Sequence, residues 1–326
     1  QYYISLIDIN PNYLQAVQRY LSRYLTNDGE NENNILFRKT LLRKAASNPK
    51  NVWNVLLSWL FSQQKDYDKA FVQEKALYQR NPENLFEFFE LGKTAFKNKD
   101  YKAAQEIFTF VNENTNIREE KIEAQLFLAN IAVDTKNPEA ENQFLAIFKE
   151  FGENQSTIAV QVSYANLLSF HKNNPTKAIE VLENALRFSS SKFDKARIKL
   201  KLGDVLVFIG KSNKALLYYS QIQTQLKNHP LAQEARYKVA QTSYFKGDFT
   251  WAKAQLKVLK SATTQLIAND ALQLFLTISD NEPVDSIPSG LLPYAKADLL
   301  SFQNKGAEAI AVLAEVIREF KGHPIE

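Results

Sequence analysis

A block that recurs about every three dozen residues constrains this chain more than any other feature. Each block holds a helix-forming run, a polar break, an alanine, and then an amphipathic run with a bulky apolar residue, usually four positions on. The clearest copies are Lys99-Asp100-Tyr101-Lys102-Ala103-Ala104 leading to Phe108 and Val111, and Lys65-Asp66-Tyr67-Asp68-Lys69-Ala70 leading to Leu77. The same alanine recurs at Ala140, Ala178, Ala215, Ala252 and Ala309, so the successive spacings are 34, 36, 38, 37, 37 and 57. A period of this length is one helical hairpin, which cannot bury its apolar face alone and does so against its neighbours. The expected fold class is all-α, an α-α superhelix. Because each hairpin in a solenoid contacts only its neighbours, 326 residues fit one elongated array better than one compact core.

Within each block the apolar residues fall at helical spacing, and almost no run alternates as a strand would. Leu85, Phe88, Leu91 and Ala95 share one face of a first helix, and Ala104, Phe108 and Val111 share one face of its partner. Asn48-Pro49 and Asn81-Pro82 close a second helix, because proline cannot continue the hydrogen-bond ladder. Asn137-Pro138, Asn174-Pro175, His229-Pro230 and His323-Pro324 read as block starts, where the missing amide is harmless. The last of these implies a further hairpin beyond Glu326.

The reading divides the chain into a degenerate N-terminal hairpin over 1–50, six repeats over 51–261, an irregular helix and loop over 262–290, and a further, truncated repeat over 291–326. In the first region Tyr13 to Leu25 and Ile35 to Ala46 read as helices joined by Thr26 to Asn34, a stretch too long for a tight turn. In the third, a helix from about Leu266 to Ile278 has no standard partner, and Asp280 to Gly290, with Pro283, Pro288 and Gly290, reads as a loop.

Composition removes several functions. With 40 basic and 36 acidic side chains the net charge is +4, far from the dense positive field that phosphate backbones demand, so nucleic acid is not an expected partner. Cysteine is absent, which excludes disulfides, zinc thiolates and a cysteine nucleophile. The three histidines, His171, His229 and His323, are too scattered in sequence to suggest a metal site, and no glycine-rich phosphate loop, Gly-x-Ser-x-Gly or His-Glu-x-x-His occurs. Glu119-Glu120 lies at a helix start, where the dipole explains it without catalysis. No cofactor and no enzyme activity are expected. No apolar run approaches the roughly 20 residues that span a bilayer. The absence of methionine and the start at Gln1 read as an excised or processed piece; the location stays open, with a bacterial envelope protein preferred over a cytoplasmic one.

With each anchoring alanine at position 20 of a 34-residue unit, Leu91-Gly92 and Leu202-Gly203 fall at positions 7 and 8, Ala104 and Phe108 at 20 and 24, and Pro82 at 32. In these residues the chain resembles the tetratricopeptide repeat family, as found in bacterial proteins that contain such repeats. The resemblance covers about residues 51 to 322, and Ser58, Leu128, Asn166 and Ala240 stand in for the glycine elsewhere. It implies a right-handed solenoid whose first helices line a concave groove that binds peptides or partner domains. Carried over by position, the groove would include Phe86, Phe89, Lys93, Phe96 and Lys97 in one block, and Tyr164, Phe170 and His171 in another. It would continue with Arg197, Lys201 and Asp204, then Tyr237, Lys238, Gln241 and Tyr244, and end with Tyr294 and Asp298. The clamp by which some members hold acidic chaperone tails does not carry over, since Gln125, Ala129 and Tyr164 replace its lysine and asparagines.

Most of the aromatics, 12% of the chain, have packing between helices as their ordinary role. Tyr164, Tyr237 and Tyr244 are the preferred exceptions, as flat, half-exposed surfaces of the kind enriched in binding hot spots. Of two basic clusters, Arg38, Lys39, Arg43 and Lys44 read as a solvated face. Arg197 and Lys201, four apart on one helical face, could meet an acidic or carboxylate-bearing ligand. The expectation is a non-catalytic interaction scaffold that binds a protein or peptide in its groove. The alternative is a structural subunit of a larger complex, in the cell envelope for instance, docking through its convex face or the 280–290 loop.

Overall fold

The computed structural model describes residues 2–82, 84–259, 265–282 and 289–325; most of the expected loop over 280–290 therefore lies outside the described residues. Among the described residues there are eighteen α-helices and no strand, and most consecutive helices pack on one another. The chain is an all-α helical-repeat protein. It divides into two compact units, 1–149 and 150–326.

The first unit holds α1 (Tyr2–Ile9), α2 (Leu14–Leu21), α3 (Glu32–Ser47), α4 (Asn51–Gln63), α5 (Tyr67–Arg80), α6 (Phe86–Lys97), α7 (Tyr101–Asn114) and α8 (Arg118–Asp134), and α9 (Ala140–Phe151) begins in it. Its start departs from the expected pair of helices. The segment YYISLIDI is apolar nearly all round and carries no visible stripe, yet it forms α1 and buries Ile4 and Ile7. The following helix is shorter than expected. Buried Asn34 organises the long connection: its Nδ2 donates to the carbonyls of Thr26 at 2.8 Å and Asp28 at 2.6 Å.

From α4 onward the expected faces are where the 3.6-residue period puts them. Leu85, Phe88, Leu91, Ala95, Ala104, Phe108 and Val111 are all buried. Phe71, Tyr78, Phe88 and Phe110 meet mostly edge to face, and Phe108 stacks on Phe127 with ring centroids 4.4 Å apart. Gly92 is small because the other helix passes close by: a Cβ there would lie 2.8 Å from Phe108 Cζ.

The second unit holds α10 (Ile158–Asn166), α11 (Pro175–Phe188), α12 (Lys192–Phe208), α13 (Ser212–Gln225), α14 (Pro230–Phe245), α15 (Phe249–Leu259), α16 (Gln265–Ser279), α17 (Leu291–Phe302) and α18 (Gly306–Glu319). Here the first helices of successive hairpins also touch one another, α10 on α12 and α12 on α14, so they form a continuous face. Gly203 at the α12–α13 crossing faces Tyr219, whose Cζ would stand 2.5 Å from an added Cβ. The helix expected to lack a partner, α16, packs on α15 and α14, and α17 also packs on α14.

One turn closes six of the described hairpins. The amides of Asp66, Asp100, Asn137, Lys211, Asp248 and Lys305 each bond the carbonyl five residues back, at 2.7–3.0 Å. The residue before each is left-handed: Lys65, Lys99, Lys136, Gly210, Gly247 and Asn304. This is a Schellman closure, which satisfies carbonyls that the helix end would otherwise leave bare. In the α10–α11 hairpin Asn174 reaches six residues back to Leu168, because the π-helical stretch Leu167–His171 takes in one extra residue; Asn173 is left-handed there.

The expected proline signals are mixed. Pro175 and Pro230 open α11 and α14, capped by Asn174 and His229 side chains. Pro138 does not open α9, which starts two residues later after a turn. His323-Pro324 lies in a turn after α18.

Candidate functional site

The expected groove residues do not form one exposed surface. In the first unit Phe89 is buried against Phe108, and Phe96 packs on Tyr101 and Phe127. Lys93 lies over the Phe89 ring and pairs with Glu123 at 2.9 Å, while Phe86 and Lys97 are exposed. This block spends most of its aromatic surface on packing.

In the second unit Tyr164 is 7% exposed and Tyr244 1%. Both are core residues, which corrects the expectation of half-exposed docking surfaces. Tyr237 alone of the three is partly accessible. Tyr244 packs under α17, the first helix of the expected repeat over 291–326. Its Phe302 meets Phe170 and Phe245, and just beyond it Asn304 Nδ2 donates to the Phe170 carbonyl at 2.7 Å. Phe170 is thereby covered on one side while His171 remains exposed.

The basic pair also behaves differently from its expectation. Arg197 is exposed and pairs with Asp194 at 3.0 Å. Lys201 points inward: its Nζ donates to Asn166 Oδ1 at 2.9 Å and lies 3.7 Å from Asp204, and Lys238 reaches the same carboxylate at 3.1 Å. Tyr219 donates its hydroxyl to Asp204 at 2.9 Å. Burial pushes the Lys201 ammonium down, Asp204 pulls it up and Lys238 pushes it further down. Burial, and then the Asp204 charge, push the Tyr219 phenol well above its ordinary value. The two lysines serve an internal network around Asp204, so neither is a free cation for an acidic ligand.

What the fold does build is a half-open cavity of about 380 Å³ among α14, α16 and α17. Five residues placed in the groove by resemblance line it together: Tyr237, Gln241, Tyr244, Tyr294 and Asp298. Asp270, Gln273 and Thr277 come from α16, which the repeat pattern did not assign to the groove. Tyr244 donates to Asp298 Oδ2 at 2.7 Å. Burial raises the Asp298 carboxyl, against the Tyr244 hydrogen bond, and pushes the Tyr237 phenol up to about 12, helped by Asp270 and Asp298. The α16 residues had no motif to mark them; only their helical spacing, Asp270, Gln273 and Thr277 on one face, was visible in advance.

Among the described residues no group of three or more histidine, cysteine or acidic side chains could hold a metal ion, and no helix is long and apolar enough to cross a membrane. No protein-family model matches the chain, and no curated protein matches it. Among solved structures, that of PilW, described as a widely conserved type IV pilus biogenesis factor, is similar with a TM-score of 0.44 at 14% identity, over 74% of this chain and 96% of that one.

Proposed function

We propose that this protein is a non-catalytic, tetratricopeptide-like scaffold that holds a peptide segment or partner domain on the first-helix face of its second unit. The observation that carries the proposal is the cavity among α14, α16 and α17, lined by Tyr237, Gln241, Tyr244, Tyr294 and Asp298. A pocket of this size with aromatic walls and a few convergent polar groups suits one anchoring side chain of a bound chain. Rigid stacked hairpins preorganise such a surface, so the ordering cost falls on the bound segment.

A photo-reactive residue at Gln273, on the rim, tests this in extracts of the source cells. A discrete protein adduct at 273, absent from the same probe at Lys257 on the outer helix α15, is the expected result. A second reading has its own support, because Trp251 and Val258 expose apolar surface one above the other on α15. In that reading the outer face docks into an assembly, and the adduct pattern is reversed.

A further inference from the structure

Charge on the first-helix face of the second unit is distributed unevenly. Asp204 and Asp194 are each answered by a cation, at 3.1 Å from Lys238 and 3.0 Å from Arg197. Asp270 and Asp298 form no ion pair among the described residues, and the described cavity lining holds no lysine or arginine. Asp298 is instead met by the neutral hydroxyl of Tyr244. Its burial is unfavourable to its charge, and no nearby cation offsets that cost.

The aromatic walls bear on the same question. Tyr237, Tyr294 and Phe245 line the cavity beside the two carboxylates. Ring faces carry partial negative charge and attract cations, most strongly where water is excluded. Burial, and then the charges of Asp270 and Asp298, raise the Tyr237 phenol, in keeping with their shared place in the cavity wall. An anion would meet two negative groups here and no positive one. A neutral apolar group would leave both carboxylates unanswered.

We propose that this cavity receives the cationic side chain, arginine or lysine, of a partner protein segment, with Asp270 and Asp298 as its counter-charges and the tyrosine rings as its walls. The assignment rests on the groove-binding reading above and reverses the acidic partner that the Arg197–Lys201 spacing suggests. A volume of about 380 Å³ admits one such side chain, and the cavity is half open.

The test is an array of nine-residue peptides of mixed composition whose central position is fixed in turn as each amino acid, probed with the whole labelled chain. Arginine- or lysine-centred peptides should bind on the order of tenfold more strongly than glutamate-centred ones. That preference should fall several-fold in Asp270→Asn and again in Asp298→Asn. Asp270 lies at the exposed rim, and asparagine at 298 still accepts the Tyr244 hydrogen bond, so both variants should keep the parent melting temperature. Bound peptides without basic preference, or a preference undiminished in both folded variants, would overturn the proposal. So would free arginine amide binding as tightly as the arginine-centred peptides, which would mark a small-molecule site. If no basic peptide binds, the proposal falls; an adduct retained at Gln273 then leaves the groove reading standing, and loss of that adduct removes both.

Discussion

Single residues set how closely the hairpins approach. In Gly203→Ala the better helix propensity of alanine is worth about 1 kcal/mol. The added methyl, however, meets the ring of Tyr219, which is buried and held by Asp204 and cannot swing aside. Overpacking should win, with a net loss of about 1–2 kcal/mol in denaturant unfolding. Ala104, at position 20 on the second helix of its hairpin, is fully buried, and Ala104→Arg should cost on the order of 3 kcal/mol; an unchanged melting curve would mean that the repeat register is misplaced. Glu74 makes a pH-dependent contribution. Burial raises its carboxyl and Ser58 only partly offsets this, so the folded state holds the Glu74 proton more tightly than the unfolded state does. Its contribution is therefore favourable below the ordinary carboxylate range and is lost as pH rises through the raised value. Glu74→Gln should gain about 1 kcal/mol at pH 7 and lose that advantage in acid, read from melting temperatures at both pH values.

At the scale of the element, helices and buried faces were largely legible because each side chain reports its own position in the 3.6-residue period. The turns of the first unit were not. Lys65, Lys99 and Lys136 sit where a left-handed turn ordinarily takes glycine, so nothing in the sequence marks the closure in the first unit, whereas Gly210 and Gly247 hold the same position in the second. The backbone of the three lysines is correspondingly strained. Lys99→Gly relieves a left-handed penalty of about 1–2 kcal/mol and gives back part of it as unfolded-chain entropy. The expected outcome is a modest gain, about 0.5 kcal/mol, in urea unfolding. The first helix, α1, was illegible for a different reason: a segment that is apolar on nearly every face shows no stripe. The cavity was half legible. Tyr237, Gln241 and Tyr244 lie in one block and follow from position alone, but their burial depends on α16 and α17, and the stretched spacing before Ala309 does not say how those helices pack.

In the molecule as a whole, the two units use their aromatic residues differently. The first unit uses its aromatic residues to hold hairpins together, whereas the second gathers tyrosines and carboxylates around an accessible cavity. Filling the cavity tests whether a partner is held on this side of the repeat array. Thr277→Trp places an indole at the α16 wall from a position already partly exposed, which should leave folding intact. The adduct yield from the photo-reactive residue at 273 would be compared with and without this plug, at matched melting temperature. The plug should abolish the adduct; an undiminished yield would show that the partner binds elsewhere.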